Sequence, residues 1–204
     1  MQSKNVVSKC LETFLNEAKN AGHTVKEVLS DGGGVVINST VKSILEKFGI
    51  SSRMLMPYTP EQNGAAEREN RTIVGSAKSI IYATNLPLKL WEEAVNTSVY
   101  VLNRTGATSV KKKCPYELWF SKQVISTDHL RVFGTECFVC VSQQKRRKWD
   151  KKSVKGVFVG YSGEKDGYRI RIKDQNKVIL SRDVIFQKEK SSCVLLIFKT
   201  QVWK

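Results

Sequence analysis

Long apolar runs are missing from this sequence: no stretch approaches the ~20 consecutive residues that a bilayer-crossing helix needs, so a membrane-spanning segment is excluded. The first residues, MQSKNVVSKCLETFLNEAKNAG, hold no continuous apolar region, and no secretory signal is expected there. Proline is scarce, at four residues, and there is no proline- or serine-rich tract; with 41% hydrophobic residues in 204, wholesale disorder is excluded as well. Five cysteines, odd in number and scattered at 10, 114, 137, 140 and 193, do not make a disulfide framework and suit reduced thiols in a nuclear or cytoplasmic, intracellular setting. Acidic residues are also in deficit, 19 against 34 basic ones, for a net charge of +15.

That excess is unevenly spread. Residues 1–110 carry 12 basic and 10 acidic side chains, whereas residues 111–155 carry 12 and 4. The clusters are Lys111, Lys112 and Lys113, then Lys145, Arg146, Arg147 and Lys148 with further lysines behind them. A polyanion such as nucleic acid is the natural partner of such a stripe, and a lysine-rich solvated loop is the plain alternative.

The first 105 residues alternate between helical and strand patterns. Val7, Leu11, Phe14, Leu15 and Ala18 follow helical spacing, HTVKEVLS reads as a strand running into Asp31 and three glycines, and NSTVKSILEKFG as a short helix closed by Gly49. ISSRMLM is a second strand, followed by an Asn63-Gly64 turn signal, a helix from Ala65 to Thr84, and a third helix with Trp91, Val95, Val99 and Leu102 on one side. Strands alternating with helices predict an α/β layer fold. A short helix is expected around CPYELWF. After residue 125 come four runs rich in Val, Ile, Phe and Tyr (LRVFGTECFVCVS, VKGVFVGYS, GYRIRIK, KVILSRDVIF), which predict a small β barrel or sheet with an exposed connection at 145–155. The expected organisation is residues 1–122, 123–190, and a tail 191–204 that fits neither part.

Asp31 follows a strand end beside glycines that let backbone approach a ligand closely; a turn aspartate is its plain reading. Glu67 stands where helical sequence begins, and a carboxylate in a first helical turn gains ~0.3–1 kcal/mol from the helix dipole without any function. Thirty-five residues separate the two. One helix, one strand and one loop in between can bring a strand end and a helix start to the same sheet edge, where two carboxylates would make a divalent-metal site.

With PYTPEQNGAAERENR around Glu67 and SDGGG around Asp31, this spacing resembles the second Asp and the Glu of the D,D-35-E core of retroviral-type integrases, and more narrowly the integrase of copia-type LTR retrotransposons. The matching positions are Pro57, Pro60, Gln62, Asn63, Gly64, Ala66, Glu67, Arg68, Asn70 and Arg71, and the likeness extends over roughly residues 1–190. It implies a partial RNase H-like integrase core followed by a small SH3-like β-barrel module. It also implies DNA integration by phosphodiester strand transfer, on Mg²⁺ or Mn²⁺ held by three carboxylates. Asp31 and Glu67 would be two of these ligands. Element-end and target DNA would be the partners, met by Gln62, Asn63, Arg68, Arg71 and the basic clusters, within a possible homo-oligomer and without a membrane. Glycine near Asn63 would let the preceding loop flex over DNA.

The departures from that pattern matter as much. No aspartate precedes Asp31, while Glu12, Glu17 and Glu27 sit on the opening helix or within a strand. A Cys/His zinc module is absent with only His23 and His129, and SDGGGVV stands where the family has S-D-N-G-G-E-[FY]. The expected protein is therefore an integrase segment shortened at its N-terminus and inactive alone. A domesticated nucleic-acid-binding protein using residues 111–155, or a remnant without function, are the alternatives. Cys137 and Cys140 form a C-x-x-C read as a buried strand pair, since zinc would need two more ligands. Trp149 and Tyr161 are either core residues or base-stacking platforms.

Overall fold

Helix α1 (Lys4–Asn20) and helix α2 (Ser39–Lys47) end in the same way, because each is followed by a glycine able to turn left-handed. At Gly22 (φ +84°) the His23 N–H donates to the Ala18 carbonyl at 2.9 Å, and at Gly49 (φ +67°) the Ile50 N–H donates to Leu45 at the same distance. The computed structural model describes residues 4–30, 39–54, 60–110, 113–122, 126–163, 167–173, 175 and 177–187, with the backbone alone at 4, 5, 60–63 and 145. Two compact units divide the chain: residues 1–70 with 119–121, and residues 71–118 with 122–204. The helix expected over 86–105, which the sequence groups with the first part, lies in the second unit with the β strands.

In the first unit, strands β1 (Glu27–Ser30) and β2 (Ser51–Met54) pair in parallel, from Glu27 opposite Ser51 to Ser30 opposite Met54, with α2 as the crossover. Leu15 of α1, Val41 and Leu45 of α2, and Ile50 are buried together, flanked by Leu11, Val28 and Phe48. Helical periodicity singles out most of these. Phe14 is the exception: it is 46% exposed and stacks on Trp119, whose carbonyl accepts a 2.6 Å hydrogen bond from His23 Nε2.

Helix α3 runs Pro60–Thr84, starting five residues before the expected Ala65. Pro60 opens it, in the position where a missing N–H costs nothing. Asn63-Gly64 therefore lies inside a helix rather than in a turn, and the flexible-loop reading of these residues is corrected accordingly. A short 3₁₀ turn (Leu88–Leu90) leads into α4 (Trp91–Thr105), then α5 (Pro115–Phe120). In α5, Pro115 occupies the first position and the Glu117 carboxylate accepts the Cys114 N–H at 3.0 Å, one of the two bonds of a capping box.

The sheet of the second unit is antiparallel throughout, in the order β6-β5-β4-β3-β7: β3 (Glu136–Cys140), β4 (Ser153–Tyr161), β5 (Tyr168–Ile172), β6 (Lys177–Ser181) and β7 (Val184–Phe186). The single run expected over 177–186 is thus two strands split at Arg182-Asp183. On β4 the pairing register shifts between Phe158 and Gly160. This bulge changes which face each residue takes. Phe158 and Tyr161 both join one core, with Cys137, Val139, Ile170 and Ile172, while Val159 joins another with Ala77, Ile80, Ile81, Leu90, Ala94 and Phe133. Burial on both sides explains why β4 reads as a continuous apolar run.

Helix α4 meets β4 with its small and polar face. Glu93, Ala94, Thr97 and Ser98 are its buried residues, and Thr97 Oγ1 donates to the Val159 carbonyl at 3.1 Å. Trp91, expected to point inward, is 61% exposed, because close approach to the strand favours side chains smaller than indole. Gly160 permits that approach: a Cβ there would lie 3.0 Å from Thr97 Oγ1, at a φ of +158°. Gly160→Ala is expected to destabilise the second unit by about 1–3 kcal/mol, lowering its melting temperature by several degrees. Gly163→Ala, where a Cβ meets nothing within 4 Å, should leave it unchanged, and equal melting of the two variants would contradict this packing.

Candidate catalytic carboxylates and nucleic-acid interface

Parallel pairing of β1 and β2 carries both strands to one edge of their sheet, and the chain leaves β1 at Ser30, one residue before Asp31. Asp31 itself lies outside the described residues, as do Lys111 and Lys112. Glu67 is exposed on α3, seven residues beyond Pro60 and so about 10 Å along the axis. The dipole effect is confined to the first turn, so the helix-start explanation of Glu67 does not apply.

Arg68 and Arg71 are exposed on the same helix, and among the described residues no ion pair joins Glu67 to Arg71. Gln62 and Asn63 fall in the first turn of α3, where the backbone alone is described. Among the described residues no group of three or more His, Cys, Asp or Glu side chains is placed to hold a metal ion. A cation site built on Glu67 would need ligands from outside the described residues.

Lys113, Arg147 and Lys148 are exposed and Arg146 is half-buried; Lys145 ends a 3₁₀ turn (Gln143–Lys145) in the β3–β4 connection. By contrast, Lys155 and Lys173 are held by Glu136, at 2.9 and 3.7 Å. The hydrogen bond from Lys155 holds the Glu136 carboxyl below its usual range. The cations of the β3–β4 connection have only Asp150 among them as a local counter-charge.

The aromatic residues separate. Tyr161 is core: its hydroxyl accepts the Arg131 N–H at 2.8 Å and donates to the Arg131 carbonyl at 3.2 Å, its ring stacks on Tyr100 at 4.1 Å, and burial pushes its phenol well above the ordinary range. Tyr100 in turn shares a 3.0 Å hydrogen bond with His129 and lies under the Arg104 guanidinium, 3.5 Å away. Trp149 is 93% exposed.

Sequence reasoning missed the ion pair between Glu93 and Arg169, in which Nε and Nη2 meet the two carboxylate oxygens at 2.6 and 2.5 Å. The Glu93 hydrogen bond raises the Arg169 pKa. Glu93, in the first turn of α4 beside Glu92, gave no signal; only its burial marks it.

The C-x-x-C reading also needs correction. Cys137 is fully buried and Cys140 exposed, because residues three apart on a strand face opposite sides. Burial, with Glu136 nearby, pushes the Cys137 thiol up to about 11. The folded protein should therefore keep Cys137 protonated and unreactive at pH 8, while Cys10 and Cys140 react with iodoacetamide. Peptide mapping by mass spectrometry reads this directly, and labelling of Cys137 as fast as Cys140 would contradict it.

Residues 135–195 match the retroviral polymerase SH3-like domain. Over 172 residues, 84% of the chain, the sequence is 37% identical to the Retrovirus-related Pol polyprotein from transposon TNT 1-94 of Nicotiana tabacum. Over 189 residues, 92% of the chain, it is 29% identical to the Retrovirus-related Pol polyprotein from transposon RE1 of Arabidopsis thaliana. The chain spans 13% of the length of each of these polyproteins. Among solved structures it is similar to the catalytic core domain of BIV integrase, at 20% identity and a TM-score of 0.44, over 59% of this chain and 73% of that one.

Proposed function

The chain belongs with the copia-type retrotransposon Pol polyproteins, as a homologue of one segment of them that includes the retroviral SH3-like domain, and we propose that its ancestral role is DNA integration by metal-dependent strand transfer. The observation that supports this reading is the parallel β-α-β unit that comes before Glu67 in the chain. In that unit β1 ends at Ser30, the residue before Asp31 in the sequence, and Glu67 is an exposed helical residue that the helix dipole does not explain. Asp31 and Glu67 are the residues that would hold Mg²⁺ or Mn²⁺. When bound, such ions activate the attacking hydroxyl and stabilise the leaving oxygen of the phosphodiester. The protein groups would position DNA, with Arg68 and Arg71 exposed to meet phosphates.

These 204 residues hold two carboxylates of a set of three, so the polypeptide by itself is expected to carry out no strand transfer. Incubation with a processed DNA end and target DNA in Mn²⁺ checks this. No joined product is expected, and product that disappears in Glu67→Gln would overturn it.

Exposure of Arg147, Lys148 and Trp149 on one loop favours a second reading, in which the β module binds nucleic acid on its own. Binding should then fall steeply with salt and survive Asp31→Asn with Glu67→Gln.

A further inference from the structure

The β3–β4 connection is ordered by its own hydrogen bonds. Its base is closed by the Val141 N–H donating to the Lys152 carbonyl at 2.9 Å. At its far end the Arg147 N–H donates to Asp150 Oδ2 at 2.7 Å, and the Asp150 N–H donates to the Arg147 carbonyl at 3.1 Å. Together these bonds pin a four-residue turn with Lys148 and Trp149 at its corner. The carboxylate of Asp150, the one acidic residue among six basic ones between 145 and 152, is occupied in holding the turn. Arg146 Nε has no hydrogen-bond partner among the described residues.

Tryptophan is highly buried on average, so an indole left 93% exposed on a turn this well tied calls for an occupant. The cations around it select a polyanion, and the bare ring selects one that offers flat faces. Duplex DNA presents phosphates but keeps its bases stacked inside; a single strand presents both. We propose that Trp149 is a stacking platform for an unpaired base of single-stranded nucleic acid, with Arg147 and Lys148 engaging the phosphates on either side. This rests on the reading that the β module binds nucleic acid, and adds to it the strandedness of the ligand and the residue that selects it.

The test compares the affinity of the full 204-residue chain for oligothymidylate, for a duplex of equal length and for polyglutamate, in wild type, Trp149→Ala, Trp149→Phe and the double variant Arg147→Ala with Lys148→Ala. Trp149→Ala should weaken single-strand binding roughly 5- to 150-fold, the range expected when one base can no longer stack, with duplex binding and the salt slope unchanged. Trp149→Phe should retain most of the affinity. The double variant should lower the slope of log K against log salt by about 0.7 for each phosphate it no longer neutralises. Oligothymidylate should quench tryptophan fluorescence in wild type and less in Trp149→Phe. All these residues are exposed, so unchanged melting temperatures will show that the variants fold. Salt-dependent DNA binding that Trp149→Ala does not change, or changes equally for duplex, overturns the stacking role and leaves the broader reading standing. Binding to polyglutamate as tight as to DNA, or no DNA binding at all, overturns both.

Discussion

The second unit depends on how closely helix α4 approaches strand β4. Glu93 reaches across to grip the Arg169 guanidinium with both oxygens, Thr97 donates to the Val159 carbonyl, and Gly160 leaves the gap that lets both happen. Glu93 is the buried partner, its side chain 12% exposed against 36% for Arg169, so loss of the guanidinium would leave a carboxylate with little water to compensate it. The pair therefore specifies where α4 sits more than it adds stability. The bulge at Phe158–Gly160 belongs to the same constraint, since it turns Val159 toward the helices and Phe158 with Tyr161 toward the other core.

With Glu136 engaged by Lys155 and Lys173, and Asp150 tied into its own turn, Arg147 and Lys148 of the β3–β4 connection face solvent on a hydrogen-bonded turn. Glu67 lies on α3 within residues 1–70, the other unit, and Asp31 falls in the same range of the sequence. On the proposed reading, phosphodiester chemistry and strand capture would belong to different parts of the chain, and each could be lost without the other.

Much of this was legible in the sequence. Gly49 closed the helix it was expected to close, alternation and turn residues located the β strands, and the residues around Glu67 pointed to a family that the comparisons support. What was not legible depended on tertiary packing. The inward face of α4 was assigned from Trp91, Val95, Val99 and Leu102, yet close approach to a strand favoured Ala94, Thr97 and Ser98. Pro60 began a helix that Asn63-Gly64 had been expected to interrupt, since proline at a first position and a long apolar repeat outweigh ~1 kcal/mol of glycine cost. Cys137 and Cys140 looked like a pair until strand pleat placed them on opposite faces. Trp149 and Tyr161 gave identical signals in sequence, and only burial told them apart.

The most direct measurement is denaturant unfolding of two fragments, residues 71–190 and residues 123–190. The first retains the Glu93–Arg169 grip and the helices over Val159, and should unfold in one cooperative transition. The second exposes Val159 and strips Arg169 of its partner, and should unfold broadly or at much lower denaturant. Equal midpoints and equal cooperativity for the two fragments would contradict the claim that α4 is part of the foundation of the β module.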